Sequence, residues 1–384
     1  MPPVARTPFA KPASPKSAAG SLASFCPWAA EPGVRVYLCP VGLMPIAAWA
    51  KGAAVPLAGG RFAFSTAELI VRQGDRIDRA FAPLSEILAW GWERARDVAE
   101  ALDRQLGALT RARVPFGGVA LDRPRLMGIV NVTPDSFSDG GDFIDPAAAI
   151  AHGEELLAAG ADILDIGGES TRPGAAAVPP EQEEARILPV IRHFAERGAV
   201  VSVDTRHARV MASALAAGGR IVNDIAGLGD AGALPLVARA GAPVVLMHMQ
   251  GEPGTMQRDP SYHDAALDVF DWLEARVARC VAAGLPLERI AVDPGIGFGK
   301  TAEHNLAILR HTALYHALGC VVLIGLSRKA FIGRLSRGEA PKERLAGSLA
   351  AGLETLNQGA QILRVHDVAE TAQARALWEG LHPL

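Results

Sequence analysis

Short apolar runs alternate with helical patterns through the C-terminal part of the chain. Each run is rich in Val and Ile, ends at a polar or glycine-rich corner, and precedes an alanine-rich segment with helical periodicity. The runs are RLMGIVNV (125–132), DILDIG (162–167), AVVSVD (199–204), RIVND (220–224), PVVLMH (243–248), RIAVD (289–293), CVVLIGLS (320–327) and QILRV (361–365). Because these runs are continuously apolar rather than alternating, they are typical of a parallel sheet that helices cover.

Repeated strand-helix units of this kind predict an α/β fold. Eight units in about 260 residues match the count and length of a (β/α)8 TIM barrel. A doubly wound open sheet is the competing architecture, since periodicity alone does not separate the two. No glycine-rich phosphate loop follows the first strand, which favours the closed barrel. We therefore predict a (β/α)8 barrel over residues 121–384.

The segment before the barrel has a different pattern. The runs VRVYLCPV (34–41), AAVPL (53–57) and RFAFS (61–65) predict strands, with Gly59 and Gly60 as a hairpin turn. A long helical pattern begins at about Ser85; its apolar face would hold Ile87, Leu88, Val98, Leu102, Leu106 and Leu109. Residues 31–120 are therefore expected to form a small α+β extension. The sequence leaves open whether residues 34–112 regulate, dimerise or cover the barrel floor, and we expect them to support a dimer.

Residues 1–30 are rich in Pro, Ala and Ser and contain no acidic residue. An organelle transit peptide can have this composition, but the prolines do not suit an amphipathic helix. We predict a disordered leader.

Composition and charge narrow the class of protein. The net charge is −3, so we expect neither a nucleic acid nor an anionic membrane as a partner. No apolar run approaches the roughly 18 residues that a membrane span requires. The four cysteines lie far apart without CxxC spacing, which argues against a disulfide framework or a zinc site and favours a reducing, cytoplasmic location.

Polar side chains follow the predicted strands at their C-terminal ends, where barrel enzymes build their active sites. They include Asn131, Asp204, Asn223, Asp224, His248, Asp293, Ser327, Lys329, Arg364 and His366. Taken singly, Asp204, Asn223 with Asp224, and Asp367 can be helix N-caps, and His248 can be a core histidine. Caps do not explain why basic groups accompany the carboxylates.

This rim would bind two kinds of chemical group. Asp204, Asn223 and Asp293 offer the acceptors that suit the hydrogen-bonding edge of a nitrogen heterocycle. Lys329, Arg364 and His366 come from the last two strands, where barrels often hold phosphate. The amide oxygen of Asn131 is a suitable ligand for a magnesium ion that bridges to phosphate oxygens. A phosphorylated heterocycle fits both halves.

Three other readings fit less well. PGIGFGKT (294–301) ends like a Walker A loop, but Pro294 occupies the position of its first glycine. A glycosidase would require two carboxyl groups flanking a sugar bond, whereas strands four and seven supply amide and basic groups beside Asp224. A metallohydrolase would require several histidine ligands, and strand one contains none.

Eight motifs together resemble the dihydropteroate synthase family, the folate-pathway enzymes that sulfonamides inhibit. They are MGIVNVTPDSFSDGG, DIGGESTRPGA, VSVDT, IVNDIAG, LMHMQGEPGTMQ, DPGIGFGK, GLSRKAFIG and RVHDV. The resemblance begins near residue 124 and reaches the C-terminus. It implies a magnesium-dependent condensation of (7,8-dihydropterin-6-yl)methyl diphosphate with 4-aminobenzoate, which yields 7,8-dihydropteroate and pyrophosphate. A homodimer is also implied.

The resemblance also implies roles for individual residues. Asn131 would hold the metal, and Lys329, Arg364 and His366 would be catalytic. The pterin diphosphate site would comprise Thr171, Asp204, Asn223, Met247, Asp293, Lys329, Arg364, Val365 and His366. The aminobenzoate site would comprise Thr171, Arg172, Pro173, Phe298, Ser327 and Lys329. The alternatives are a non-catalytic pterin-binding protein and a pterin-dependent methyltransferase. A protein that only binds a folate ring has no diphosphate to hold, so it would not need the basic residues Lys329, Arg364 and His366.

Overall fold

The barrel predicted from the apolar runs is confirmed. A computed structural model describes residues 22–46, 54–133, 146–170, 178–252 and 254–384. Eight parallel strands form a closed barrel in sequential order, so the open sheet is excluded. They are β7 (Arg125–Asn131), β8 (Ile163–Gly167), β9 (Val201–Asp204), β10 (Ile221–Asp224), β11 (Val244–Met247), β12 (Ile290–Asp293), β13 (Val321–Ile324) and β14 (Ile362–Val365).

Helices surround the barrel and follow its strands. Those among the described residues are Pro146–Ala158, Pro180–Glu196, Ala208–Ala216, Ala233–Ala240, Ala265–Ala282, Ala302–Arg310, Ala330–Leu335, Leu345–Asn357 and Val368–Leu381, with 3-10 turns at Leu287–Arg289, Thr312–Leu318 and Pro341–Glu343. The continuous apolar runs are explained by this arrangement, because the strands pack against helices outside and against one another inside.

The inside of the barrel begins with an apolar floor. Met127, Ile163, Ile221, Val245, Ala291, Val321, Leu323 and Ile362 form one buried cluster with Phe116, hereafter the floor cluster. Strand side chains alternate between faces. Residues two or four positions beyond a member of the floor cluster therefore also face the interior, nearer the C-terminal mouth.

The N-terminal unit contains two small antiparallel sheets. Their strands are β1 (Arg35–Val41), β2 (Met44–Pro45), β3 (Val55–Pro56), β4 (Phe62–Phe64), β5 (Thr66–Gln73) and β6 (Arg76–Pro83), in the orders β1-β5-β6 and β2-β4-β3. The hairpin at Gly59 and Gly60 is confirmed by the pairing of β3 with β4. Strands β5 and β6 were not predicted, because charged residues such as Glu68 and Arg79 interrupt their apolar pattern.

The predicted helical pattern of the extension is confirmed, and the structure divides it into two helices. They are Leu84–Arg94 and Arg96–Thr110, with Ala95 in an extended conformation between them (φ −163°, ψ 154°). The break lets both helices cover the same sheet. The two helices approach closely at Gly91, where a Cβ atom would lie 2.7 Å from the side chain of Leu102. A side chain at this position would prevent that close approach.

The N-terminal unit lies against the outside of the barrel. Its sheet carries Arg35, Arg72 and Arg79, whose guanidinium groups form ion pairs with Asp271 (2.8 Å), Asp268 (2.6 Å) and Asp264 (2.5 Å) respectively, at or beside the helix Ala265–Ala282. Tyr37 packs edge-on against Phe270, with 5.6 Å between the ring centroids. This unit therefore covers one side of the barrel.

A short segment after the N-terminal unit covers the barrel floor. Phe116 is 1% exposed within the floor cluster and forms an isolated bridge with Val119. Arg113, just before it, donates to the carbonyl oxygens of His316 and Cys320. The barrel floor is therefore covered by this segment and not by residues 34–112, for which that role was considered.

Residues 22–30, which the composition predicts to be part of a disordered leader, belong instead to the folded unit. Trp28 donates to Asp78 (3.0 Å) and lies under the guanidinium of Arg76, 4.1 Å from the ring centroid. The main chain of Phe25 accepts from Trp90 (3.1 Å). Tryptophan burial with a satisfied ring N–H explains why this stretch is held. Residues 1–21 lie outside the described part of the chain.

Two further expectations from the sequence concern membrane-spanning helices and the cysteines. Within the described ranges, no helix is both long and apolar enough to cross a membrane. All four cysteines are buried and unpaired, as their spacing predicted.

Candidate active site

The predicted rim residues come together at the mouth of the barrel. Asn131, Asn223, Met247, Asp293 and Arg364 each lie two or four positions beyond a member of the floor cluster on the same strand. They therefore share the interior face. The polar layer lies directly above the apolar floor. This position explains why strands that are otherwise apolar, such as β7, end on a polar residue.

A network of ion pairs and hydrogen bonds joins strands of this layer that are not neighbours in the barrel. Arg364 Nε lies 2.5 Å from Asp165 Oδ2, and its Nη2 lies 2.6 Å from Asp204 Oδ2. Asn223 Nδ2 donates to the same Asp165 oxygen at 2.9 Å. One arginine thus holds two carboxylates, and one of them, Asp204, is predicted from the sequence to bind the heterocycle. The heterocycle half and the basic half of the rim are in direct contact.

Asp165 was missed by the sequence analysis. It is fully buried, and its second oxygen, Oδ1, has no hydrogen-bond partner among the described residues. The available signal was an acid inside the apolar run DILDIG, two positions beyond Ile163 of the floor cluster. Burying a carboxylate oxygen without a hydrogen-bond donor costs free energy. This oxygen is therefore expected to accept a hydrogen bond from a bound ligand.

Burial shifts the pKa values of the mouth residues. Burial raises the pKa of Asp204 although Arg364 opposes the shift, and it raises the pKa of Asp293 to about 6. The pKa of Arg364 is raised, because Asp165 and Asp204 outweigh the effect of its burial. The arginine is therefore always charged and is the fixed cation of the mouth.

The loops after β12 and β13 form the adjoining wall. Asp293 Oδ1 accepts from Gly295 N at 2.8 Å, which orients the carboxylate. Lys329 Nζ lies 4.0 Å from the ring centroid of Phe298. Burial lowers the pKa of Lys329 to about 8, and Arg364 contributes to the shift. Lys329 thus presents a cation between Phe298 and the mouth, so the predicted pterin and aminobenzoate residues adjoin.

Apolar side chains line the same region. Met247 and Phe298 form a buried cluster with Ile225 and Met256. A flat ring could pack on this cluster while its edge faces the polar layer.

The loops after β13 and β14 are joined by short contacts. Ser327 Oγ accepts from the main-chain N–H of His366 at 3.2 Å, and His366 Nδ1 lies 3.2 Å from the same oxygen. Arg328, with a positive φ of 60°, donates to Asp367 through Nε at 3.0 Å. Asp367 is therefore an ion-pair partner rather than the side-chain cap that we considered.

Val365 is placed differently from its neighbours. Its side chain is buried among the residues that pack between strands and helices. Alternation along β14 explains this, since Arg364 and His366 share the interior face and Val365 takes the other. The side chain of Val365 does not line the mouth.

The alternative interpretations of two single residues have different outcomes. Asp224 accepts from Ala226 N and Leu228 N, each at 2.7 Å, within its own loop, whereas the next helix begins at Ala233, so the helix N-cap considered for Asp224 is wrong. His248 is a core histidine whose Nδ1 lies 2.9 Å from Lys300 Nζ.

The residues present fit a magnesium ion held largely by water and substrate. Asn131 ends β7, is partly exposed, and its side chain makes no hydrogen bond to the described residues. Within those residues, no group of three His, Cys, Asp or Glu side chains could hold a metal. A magnesium ion that keeps several waters and binds one protein oxygen requires no such group.

Comparison with known proteins shows the family. The family described as "Pterin binding enzyme" matches residues 127–366. The dihydropteroate synthase of Neisseria meningitidis serogroup B is 52% identical over 269 residues, which cover 68% of this chain and 94% of that protein. The chain belongs to the dihydropteroate synthase family.

Two solved structures agree with this membership. Dihydropteroate synthase of Xanthomonas albilineans with 4-aminobenzoic acid is 48% identical, with a TM-score of 0.66, and the match covers 69% of this chain and 96% of that one. The enzyme of the same organism in complex with 7,8-dihydropteroate is 45% identical, with a TM-score of 0.64 and the same coverage. Residues 1–126 precede the family match.

Three predicted aminobenzoate residues, Thr171, Arg172 and Pro173, lie outside the described residues. So do residues 134–145.

Proposed function

We propose that the protein condenses (7,8-dihydropterin-6-yl)methyl diphosphate with 4-aminobenzoate to give 7,8-dihydropteroate and pyrophosphate. The observation that carries this proposal is the network in which Arg364 binds both Asp165 and Asp204 beside Asp293 and Lys329. It combines acceptors for a ring with cations for a leaving anion.

The acceptors suit the pterin ring. Asp165 Oδ1 has no donor within the described ranges, Asp293 is oriented by Gly295, and Asn223 keeps its amide oxygen after donating to Asp165. Ring N–H and amino groups would satisfy these buried oxygens. Met247 would pack against a face of the pterin ring, and Phe298, beside it, would line the aminobenzoate site.

The basic groups suit the departing pyrophosphate. Arg364 Nη1 forms no hydrogen bond with the described residues and is the donor left for a phosphate oxygen. Lys329 and His366 extend the same wall. Loss of pyrophosphate from the methylene leaves a cation delocalised over the electron-rich pterin, which the nearby carboxylates stabilise electrostatically. The aromatic amine then attacks without a strong base.

We propose Asn131 as the protein ligand of a magnesium ion. When bound, the ion would neutralise charge on the diphosphate oxygens. We also propose a cytoplasmic homodimer, on the resemblance to the family. Light scattering of the full chain tests the dimer; a mass of one chain, 40.2 kDa, would exclude it.

The direct test is an assay with purified protein. The two substrates and magnesium should yield pyrophosphate and dihydropteroate in equal amounts. Pyrophosphate without dihydropteroate would indicate hydrolysis instead, and binding of the pterin without turnover would favour a non-catalytic binding protein. Chelation with EDTA should abolish turnover, and added magnesium should restore it.

Lys329→Ala should weaken the binding of pterin diphosphate. Lys329 supplies a partly buried cation at the mouth, and the loss of one charged hydrogen bond costs about 1.5–3 kcal/mol, or at least about tenfold in affinity. Calorimetry measures the change. Lys342→Ala, at an exposed position, is the matched control. Equal affinity of both variants would contradict the role of Lys329.

Pterin affinity should depend on pH through Asp293. Burial raises the pKa of this carboxyl to about 6, so it is ionised above pH 6 and protonated below. The charged acceptor is lost as the pH falls through 6, and affinity should fall with it. The affinity of the wild type is divided by that of Asp293→Asn at each pH, because titration of the substrate affects both proteins equally and cancels in this ratio. A ratio that stays constant between pH 5 and pH 8 would contradict this assignment.

A further inference from the structure

A buried lysine lies beneath the proposed pterin site and has no role in the chemistry described so far. Lys300 is 1% exposed and forms no ion pair with the described residues. Its Nζ lies 2.9 Å from each of the carbonyl oxygens of Gly295 and Phe298 and 3.3 Å from that of His248. The fourth contact is His248 Nδ1 at 2.9 Å.

These four acceptors belong to two different loops. Gly295 and Phe298 follow β12, whereas His248 follows β11. The side-chain nitrogen of Lys300, whose pKa burial lowers to about 7, therefore lies in a cage of main-chain oxygens. The Gly295 oxygen also accepts from Phe298 N at 3.1 Å, whereas those of Phe298 and His248 accept from no other described group. Burial, with a further contribution from Lys300, lowers the pKa of His248 to about 2, so the imidazole is neutral and its Nδ1 can accept.

The two loops also pack backbone against backbone. A Cβ at Gly295 (φ 69°) would lie 1.9 Å from the His248 oxygen, and a Cβ at Gly299 (φ 59°) would lie 2.4 Å from the Gln250 oxygen. Glycine is required at both positions by the left-handed conformation and by the close approach. The motif that resembles a Walker A loop thus serves to seat one loop on the other.

Each acceptor of Lys300 adjoins a residue of the proposed site. Gly295 donates its N–H to Asp293 Oδ1 and offers its carbonyl to Lys300. Phe298, whose ring contacts Lys329, is held through its own carbonyl. His248 directly follows Met247. The side-chain nitrogen of Lys300 is therefore connected through the main chain to Asp293, the proposed acceptor for the ring, and to the apolar residues Met247 and Phe298.

We propose that Lys300 is a positioning residue, whose buried ammonium joins the loops after β11 and β12 and so fixes Asp293 and Phe298 for the two substrates. Its kinetic consequences rest on the proposed function. Lys300 touches no reacting atom, so its loss should act on substrate affinity more than on the chemical step.

Lys300→Met keeps the length of the side chain and removes the ammonium. We expect the KM values for pterin diphosphate and for 4-aminobenzoate to rise by about tenfold, with kcat within about threefold of the wild type. Lys342→Met, on the surface, should leave all three constants unchanged. Unchanged KM values in a folded Lys300→Met variant, or a fall in kcat alone, would overturn the proposal.

Hydrogen exchange on the wild-type protein tests the cage without a variant. The amides of residues 295–300 and 248–250 should open as one cooperative unit with a common free energy. Independent opening of the two loops would overturn the proposal even if Lys300→Met fails to fold. A wild-type protein that makes no dihydropteroate would refute the proposed function, whereas the exchange result would still decide whether Lys300 joins the loops.

Discussion

Replacing Arg364 with alanine lowers turnover by at least about 100-fold, the scale of losing one preorganised electrostatic contact in a transition state. Arg364 is the fixed cation of the mouth and binds both Asp165 and Asp204. Without it, the departing pyrophosphate loses a donor and the two buried carboxylates repel each other. The measurement is kcat at saturating concentrations of both substrates.

Stability must be measured alongside this activity. Removing one partner of a buried ion pair costs about 3–5 kcal/mol, so turnover is compared at a temperature where circular dichroism shows the variant to be folded. Arg310→Ala, at an exposed position on the helix Ala302–Arg310, is the control and should keep wild-type turnover. A folded Arg364→Ala enzyme with full kcat would remove Arg364 from the proposed chemistry.

Replacing Arg113 with alanine lowers the free energy of unfolding by about 3 kcal/mol, because buried carbonyl groups lose their donors. Arg113 donates to the main chain of Cys320 at 2.8 Å and of His316 at 2.9 Å, and to Arg111 at 2.7 Å. Burial lowers its pKa to about 10, so it remains charged at neutral pH. The bonds to the barrel tie the N-terminal unit to it, and chemical denaturation measures their loss.

Arg111→Ala provides the comparison for this variant. The side chain of Arg111 is exposed and makes no hydrogen bond with the described residues, so its removal should change the free energy of unfolding by less than about 0.5 kcal/mol. Equal stability of the two variants would show that Arg113 does not hold the N-terminal unit to the barrel.

Much of the barrel follows from local sequence. A continuous apolar run bounded by a polar corner is a local pattern, and each of the eight runs is a strand of the barrel. The same patterns place Asn131, Asn223 and Asp293 at strand ends, where parallel strands present their side chains to one mouth. The extension was harder to interpret, because the charges of β5 and β6 are buried in ion pairs with the barrel rather than exposed.

By itself, the sequence determined the order of the elements, the rim of polar residues and the resemblance to the family, because all three depend on residues close together in the chain. Only the tertiary structure decided which charges meet. Arg364 and Asp165 are separated by 199 positions and touch only because the barrel closes. Lys300 likewise finds its acceptors on a loop that comes 52 positions earlier. Pairing between distant groups is a property of the closed fold, and no local pattern contains it.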